Sequence, residues 1–207
     1  MNGRSLPEGG REMKAMLTYI RYISDGVPVG TAPVGSRVPA LQLPNKASDP
    51  RRGAEVFRSR CAICHQADGQ GLRLAAVDVA RERRRYAFPP LWGPESYNDG
   101  AGMARSITAA EFISANMPLG TNFAHPVLSS AEAFDVAVFI NSQPRPHRAG
   151  IENDYPDRWL KPPDAAYPPF ADPFSAEQHR LGPWPPIQQW LAQNAALHRS
   201  VGSAPPR

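Results

Sequence analysis

Apolar residues recur at helical spacing in two stretches of the chain, one near the N-terminus and one in the second half. Between Glu12 and Ile23 they are Met13, Met16, Leu17, Ile20 and Ile23. Between Glu132 and Asn141 they are Ala133, Val136, Ala137 and Ile140. Apolar positions three and four residues apart form one face of a helix, so the pattern predicts two amphipathic helices.

Capping signals predict two further helices between these stretches. Ser48-Asp49-Pro50 supplies a capping residue followed by proline at the first helical position. We expect this helix to run through Gly53 and Phe57, with the glycine leaving room for a later helix to cross. Thr108-Ala109-Ala110-Glu111 has the spacing of a capping box. It predicts a helix that ends at Met117-Pro118, because proline cannot continue the helix.

Proline is unusually frequent in the remaining segments. The chain has 24 prolines among 207 residues, more than double the ordinary usage, so many turns and extended segments are expected. Residues 25–46 are rich in glycine, proline and valine without a helical period, which predicts an extended linker. Beyond Gln143 the prolines alternate with large aromatic residues: Trp159, Tyr167, Phe170, Phe174 and Trp184. We expect an arm wrapped over the preceding domain, followed by a disordered tail at residues 197–207.

Both cysteines of the chain lie in one motif, Cys61-Ala62-Ile63-Cys64-His65. Cys-x-x-Cys-His is the attachment signature of c-type haem, in which both thiols add to the vinyl groups and the histidine ligates the iron. A zinc site needs further ligands at a spacing that this sequence lacks, and a redox Cys-x-x-Cys needs a βαβ setting. A structural disulfide across two residues would be strained. The motif therefore predicts one covalently bound haem c.

Segments that follow the motif predict how the haem would be held. Residues 68–71 form a glycine-rich turn that lets the chain pass the haem edge. The Phe88–Gly93 segment contains two prolines, which predicts a rigid loop and no helix or inner strand. We expect Pro89 to direct its carbonyl at the ring N–H of His65; a stiff surface turn is the alternative. Two side chains of this loop are expected to cover the porphyrin: Leu91 and Trp92.

The haem also needs a second axial ligand, for which the chain offers several groups. Met117 directly precedes a helix-breaking proline downstream of the motif, which is the usual place of the sixth ligand in small cytochromes c. Its thioether sulfur would favour ferrous iron and raise the reduction potential. The alternatives are Met103, His125, water and a lysine.

Charge and hydropathy limit the partners and the compartment. The formal net charge of +4 is modest, and haem propionates would reduce it, so it is weak evidence for an acidic partner. We expect no nucleic-acid partner. We also expect no membrane span, since no stretch is long and apolar enough to cross a bilayer. Covalent haem is normally attached outside the cytoplasm, which makes the periplasm the expected location. The segment Met1–Pro7 nevertheless has no feature of an export signal.

Four strings, FPPLWG, YNDGAGM, ANMPLGT and NSQPRPH, resemble the second haem domain of the thiosulfate dehydrogenases. These are periplasmic dihaem cytochromes c that oxidise thiosulfate to tetrathionate. The likeness runs from Leu6 to about Trp184 and implies a mainly α, class I cytochrome c-like fold. It further implies that four residues hold the haem and its iron: Cys61, Cys64, His65 and Met117. In the family this haem passes electrons onward.

The chain departs from the family at the first haem, where thiosulfate reacts. That haem requires its own Cys-x-x-Cys-His and an axial cysteine, whereas this chain has no third cysteine. The two amphipathic stretches share residues at one constant offset: Glu12, Tyr19 and Ile20 against Glu132, Phe139 and Ile140. The pattern alone supports an alternative equally well, namely that the two stretches are ordinary surface helices. The resemblance implies that the first is the closing helix of a truncated first cytochrome domain.

Three parts are therefore expected. Residues 1–47 are the remnant helix and linker, residues 48–148 the cytochrome c domain, and residues 149–207 the arm and tail. Asn116 stands where some family members have lysine, so a lysine ligand switch is not expected there. The arginine-rich run from Val77 to Tyr86 looks longer than usual and is either a docking patch or a solvated loop.

The predicted function is electron transfer through one His/Met-ligated haem, without a catalytic residue in this chain. The alternative is the C-terminal portion of a thiosulfate dehydrogenase, whose substrate would react at a haem upstream. A non-redox metal-binding or sensor domain is a third hypothesis. The expected partner is a redox protein that accepts electrons, such as another cytochrome c or a high-potential iron–sulfur protein.

Overall fold

The computed structural model describes residues 6–31, 38–75 and 85–196. The chain divides into two compact units, Met1–Arg37 and Val38–Arg207. Two features predicted from the sequence fall mostly or wholly outside the described residues: the arginine-rich run, of which only residues 85 and 86 are described, and the tail at 197–207.

Over its described residues, 6–31, the first unit contains one helix, α1, at Arg11–Ile23. The predicted helix at Glu12–Ile23 is therefore confirmed, with one extra residue at its start. No residue of α1 is buried, and Tyr19 and Ile20 are 63% and 50% exposed. Its assignment as the remnant of another domain stays a prediction.

The second unit is built mainly from helices. They are α2 at Pro50–Val56, α3 at Ala62–His65, α4 at Ser106–Asn116, α5 at Ser130–Asn141, α6 at Ala176–Leu181 and α7 at Pro185–Gln193. One π-helical turn, Phe57–Cys61, joins α2 to α3. Short 3₁₀ turns lie at Gly102–Ala104, Ile151–Asn153 and Arg158–Leu160. Two short strands, β1 at Leu72–Arg73 and β2 at Tyr86–Phe88, pair antiparallel.

Helices α2 and α5 cross at Gly53, as the sequence predicts. A Cβ atom at Gly53 would lie 2.6 Å from the carbonyl carbon of Asp135 and 2.7 Å from Cβ of Phe139. The Asp135 carboxylate also accepts hydrogen bonds from the backbone N–H of Asp49 at 2.7 Å and from Nε of Arg52 at 2.8 Å. This one carboxylate therefore ties the start of α2 to α5, and the absence of a side chain at Gly53 permits the close approach.

The start of α4 differs from the sequence prediction. No capping box forms at Thr108, because the helix begins two residues earlier at Ser106. The carboxylate of Asp164 accepts a hydrogen bond from the backbone N–H of Ile107 at 2.9 Å and another from Nε of Arg105 at 2.9 Å. A distant carboxylate thus satisfies an N–H at the start of the helix that a local capping residue would otherwise satisfy. A capping box forms instead at Ser129 and Glu132, at the start of α5.

The segment after residue 148 enters the core of the second unit. Trp184 and Ile187 are fully buried, and the Trp184 ring lies 5.4 Å from the ring of Phe134 in α5. Helices α6 and α7 in this segment were not predicted from the sequence. The segment is therefore a part of the same hydrophobic core, and its burial goes beyond an arm laid over a finished domain.

Candidate functional site

The Cys61–His65 motif spans the end of the π-helical turn and helix α3. Both cysteines are half-buried and free, so neither is consumed in a disulfide. Burial, and to a smaller extent the neighbouring Cys64, raises the pKa of the Cys61 thiol to about 11. The last residue of α3 is His65, which is buried, with 9% of the residue exposed.

The ring of His65 is oriented by a backbone carbonyl. Its Nδ1 lies 2.9 Å from the carbonyl oxygen of Pro89, and a carbonyl can only accept, so Nδ1 carries the proton and donates. No hydrogen-bond partner meets Nε2 anywhere in the described ranges 6–31, 38–75 and 85–196. The unprotonated Nε2 is therefore available as a ligand atom, and the contact expected from the proline-rich loop is present.

Two glycines bring this loop close to the histidine. Gly69 and Gly71 have φ of +68° and +72°, in the left-handed region that glycine tolerates. The N–H of Gly71 donates to the carbonyl of His65 at 2.9 Å, and a Cβ atom at Gly71 would lie 2.7 Å from the carbonyl carbon of Pro89. At Gly69 a Cβ atom would lie 2.5 Å from Cδ2 of Trp92. Any larger residue here would push the loop away from His65.

The antiparallel pair β1 and β2 returns the chain to the motif. Leu72 pairs with Phe88. The prediction that the rigid loop begins at Phe88 is therefore wrong, because Phe88 ends strand β2. The sequence missed this strand because two prolines follow it immediately. The Phe88 ring meets His65 edge-on at 6.4 Å, and Pro89 comes next in the chain.

Leu91 and Trp92 are half-buried and pack against the core. The Trp92 ring lies 4.9 Å from that of Phe57 and 5.7 Å from that of Phe139. The loop is thus fixed against both α5 and the π-helical turn that leads into the cysteines.

Both methionines considered as distal ligands lie at the edge of the core. Met117 directly follows α4, and its N–H donates to the carbonyl of Ile113 at 2.8 Å. Met103 lies in the 3₁₀ turn Gly102–Ala104, and both side chains pack partly buried against the core. The third protein alternative, His125, is exposed in a tight turn with Asn122.

Arg145 is a residue of the site that the sequence analysis missed. Its guanidinium donates to the carbonyl of Ile140 at 2.6 Å and to that of Leu91 at 3.5 Å, and it stacks on the Tyr97 ring at 4.4 Å. It therefore connects the loop that carries Leu91 to the end of α5. Basic side chains just after a helix C-terminus often donate hydrogen bonds to the last carbonyls of the helix. The position of Arg145 shortly after α5 is a sequence signal that could have predicted this contact.

This fold and this motif define a class of protein. Residues 50–144 match the model of the cytochrome c family, and the mainly α, class I cytochrome c-like fold predicted from the sequence is confirmed. A cytochrome c domain implies covalent binding of haem c, which the two free thiols and the unpartnered Nε2 of His65 fit.

Within this class, the chain is a homologue of the thiosulfate dehydrogenases, as the resemblance predicted. It is 44% identical to the thiosulfate dehydrogenase of Allochromatium vinosum over 70% of this chain and 50% of the relative. It is 35% identical to that of Psychrobacter arcticus over 76% of this chain and 45% of the relative. It spans half or less of the length of these relatives.

A solved structure extends the likeness to the fold. The thiosulfate dehydrogenase of Marichromatium purpuratum, in its as-isolated form, aligns with 87% of this chain and 36% of its own chain. The TM-score is 0.59 and the identity 37%. Among the described residues, no helix has the length and apolar character needed to cross a membrane.

Proposed function

We propose that this chain transfers electrons through one covalently attached haem c with histidine and methionine as axial ligands. The observation that carries the proposal is the hydrogen bond of His65 Nδ1 to the Pro89 carbonyl, beside two free thiols. It leaves Nε2, the second ring nitrogen, free to ligate iron. The haem, when bound, supplies a one-electron iron couple.

Each residue of the site has a separate task in this proposal. Cys61 and Cys64 form the thioether bonds, and His65 provides the proximal ligand. The Pro89 carbonyl keeps the proton on Nδ1 and makes the ring a stronger donor at Nε2. Leu91 and Trp92 cover the porphyrin and keep water away from it.

Met117 is our choice for the distal ligand. The hydrogen bond from its N–H to Ile113 fixes the residue at the end of α4. Soft thioether sulfur stabilises ferrous iron, which suits a carrier that takes up electrons at high potential. Burial of Phe57 and the packing of Trp92 and Phe139 around it limit structural rearrangement when the charge on the iron changes.

The relatives support a second, wider proposal. The chain is the C-terminal portion of a thiosulfate dehydrogenase, in which residues 48–148 form the electron-exit domain and residues 1–47 contain the closing helix of a preceding haem domain. Thiosulfate would then react upstream, and this domain would deliver electrons to another cytochrome c or a high-potential iron–sulfur protein in the periplasm. The identity to thiosulfate dehydrogenases over 70% of this chain supports this proposal.

One preparation tests both proposals. The chain is expressed behind a secretion signal together with haem-attachment machinery, and covalent haem is counted by the pyridine haemochrome method. We expect one haem per chain, reversible reduction by ascorbate and no thiosulfate turnover. A Cys61→Ala/Cys64→Ala variant is the matched control and should carry no covalent haem.

Two results would contradict these proposals. A wild-type chain without covalent haem, under conditions where a known c-type cytochrome matures, would refute electron transfer through haem c. Thiosulfate turnover by the single-haem chain would refute the proposal that thiosulfate reacts at an upstream haem. The reaction would then have to take place in this domain, around His65.

A further inference from the structure

We propose that Asp164, in the segment that follows the cytochrome c domain, is a positioning residue for the distal methionine. Its buried carboxylate fixes the start of α4, and the helix in turn fixes Met117. The proposal rests on the proposed electron transfer through a His/Met-ligated haem. It adds that the C-terminal segment determines how firmly Met117 is held as a ligand.

Three consecutive residues at the start of α4 are hydrogen-bonded to the C-terminal segment. Arg105 donates from Nε to Oδ1 of Asp164 at 2.9 Å, and the backbone N–H of Ile107 donates to Oδ2 of the same carboxylate at 2.9 Å. The hydroxyl of Ser106, between them, donates to the carbonyl of Arg180 at 2.9 Å. The junction that leads into the helix is therefore bound at each of its three residues.

The carboxylate of Asp164 is shielded from water. Its side chain has no exposed surface, whereas that of Arg105 is 36% exposed. Hydrogen bonds to a charged group are stronger than those between neutral groups, and a buried acceptor that loses its donors is costly. The start of α4 therefore cannot move away from Asp164 without leaving a buried anion unpaired.

The backbone next to Asp164 is itself held by a buried histidine. Nδ1 of His179 donates to the carbonyl of Pro163 at 2.8 Å, and Nε2 of the same ring lies 3.0 Å from Oδ1 of Asp172. His179 is 1% exposed, and its ring stacks on that of Phe170 at 3.7 Å. The Asp164 carboxylate is therefore presented to α4 from a fixed support.

Helix α4 connects this junction to Met117. It spans 11 residues, Ser106–Asn116, and at the usual rise per residue it is a rod of about 16 Å. The N–H of Met117 donates to the carbonyl of Ile113 at 2.8 Å, so the backbone of the methionine moves with the helix. A shift of α4 along its axis would therefore displace Met117 by a similar distance.

Packing against α5 constrains this axial position less than hydrogen bonds do. The buried apolar residues of α4 are Ala109, Ala110 and Ile113, two of which have only a methyl side chain. Apolar contact is not directional, whereas a hydrogen bond constrains both a distance and an angle. The Asp164 carboxylate supplies that constraint at one end of the helix.

The test measures how readily imidazole, added as a competing ligand, displaces the methionine in the ferric holoprotein. Imidazole binds only where the distal position is open, so its apparent affinity rises in proportion to the open fraction. The test variant is Asp164→Asn. The matched control is Asp135→Asn, because Asp135 is also buried and also accepts from a backbone N–H and an arginine Nε, but at the start of α2.

We expect Asp164→Asn to raise the apparent affinity for imidazole about tenfold, measured by optical titration. Asp135→Asn should keep the wild-type affinity, although it also loses a buried carboxylate. Ser106→Ala, which removes only the bond to the Arg180 carbonyl, should raise the affinity about twofold. This milder variant decides the question if Asp164→Asn yields too little holoprotein.

A double-mutant cycle assigns the effect to Met117. In a Met117→Leu background the methionine no longer competes with imidazole, so adding Asp164→Asn should leave the affinity of that background unchanged. An equal rise in the Met117→Leu and wild-type backgrounds would overturn the proposal, because Asp164 would then act on the distal side without acting through Met117.

Wild-type imidazole affinity in both Asp164→Asn and Ser106→Ala would also overturn the proposal. Equal rises in Asp164→Asn and Asp135→Asn would overturn it too, because a general loss of stability would then explain the effect. The wild type separates these outcomes from a failure of the proposed function. A ferric wild type without the weak near-infrared sulfur-to-iron band would refute His/Met ligation itself.

Discussion

The carbonyl oxygen of Pro89 lies 2.9 Å from Nδ1 of His65, across 24 residues of sequence. Gly71 makes this approach possible, since its own N–H binds the His65 carbonyl while its α-carbon faces the backbone of Pro89. The orientation of the proposed proximal ligand thus depends on Gly71, whose own hydrogen bond is to the backbone of His65 and not to its ring.

Gly71→Ala should disturb this contact. The new methyl group would meet the Pro89 backbone, and φ of +72° adds strain of about 1–2 kcal/mol for an L-residue. With overpacking of about 1–3 kcal/mol, the free energy of unfolding should fall by about 2–5 kcal/mol. A weaker bond to Nδ1 should also raise the reduction potential, by on the order of tens of millivolts.

Gly150→Ala is the control for backbone strain alone. Gly150 has φ of +74°, but its nearest neighbour would be 3.8 Å from a new Cβ. Denaturant unfolding should show a loss of only about 1–2 kcal/mol, and voltammetry an unchanged potential. An identical potential in Gly71→Ala and the wild type would contradict the role given to Pro89.

Met117→Leu should remove the distal ligand. The ferric protein should lose its weak near-infrared sulfur-to-iron band, and the reduction potential should fall because thioether ligation favours ferrous iron. Optical spectra and voltammetry of the same sample measure both. Met103→Leu, a matched change at the competing methionine, should leave the band in place; the reverse pattern would assign the ligand to Met103.

The capping box of α5 predicts a stability that depends on pH. Ser129→Ala should cost about 1 kcal/mol at pH 7, as is usual for an N-cap. The pKa of Glu132 is lowered from its ordinary 4.5 by hydrogen bonds from Ser129. Its contribution is therefore fully present above pH 4.5 and is lost as the pH falls through the lowered folded-state pKa. Denaturant unfolding of Glu132→Gln and wild type across pH 7 to 3 should show the two curves converging in acid.

Thr108→Ala is the control for this prediction. Thr108 has box spacing in the sequence but lies inside α4, so its loss should change the free energy of unfolding by less than about 0.5 kcal/mol. A cost equal to that of Ser129→Ala would mean that α4 is capped at Thr108 after all.

Trp184→Ala should destabilise the cytochrome domain although residue 184 lies 40 positions beyond the last residue matched to the family, 144. The side chain is fully buried against Phe134, and removal of such a ring costs about 3–5 kcal/mol. Thermal unfolding followed by haem absorbance measures the loss. Trp190→Ala, a half-buried tryptophan in α7 stacked on Trp159, should cost clearly less. Equal effects would mean that Trp184 is not a core residue in solution.

The parts predicted well from sequence are those set by local chemistry. The Cys-x-x-Cys-His spacing, the proline-rich loop and the glycine of α2 are each visible in a short segment of sequence, although Pro89 and Gly53 make their contacts with distant residues. Their geometry follows from backbone rules. The bounds of helix α5 were also predicted closely. The apolar residues that form its helical pattern in the sequence are the same residues that pack in the core.

The parts predicted poorly depend on long-range partners. The start of α4 is set by Asp164, which lies 57 residues from Ile107 in the sequence. The residues around Thr108 contain no pattern that predicts this contact. Helices α6 and α7 were not predicted, because the surrounding prolines indicate turns and extended segments. Pro185 nevertheless occupies the first turn of α7, where proline is tolerated. The composition predicts Trp184 to be part of a covering arm, whereas the structure buries it fully, because composition does not reveal which aromatic residue enters the core.

The burial of Trp184 and Ile187 also sets the smallest transplantable piece of this protein. A chimera that grafted only residues 50–144 onto another redox chain would leave Phe134 uncovered and would omit Asp164, which holds Arg105 and the start of α4. A chimera that keeps the fold of this domain must therefore include the chain through the end of α7. Evolution by domain shuffling would face the same constraint, so the C-terminal segment and the haem domain should be inherited as one block.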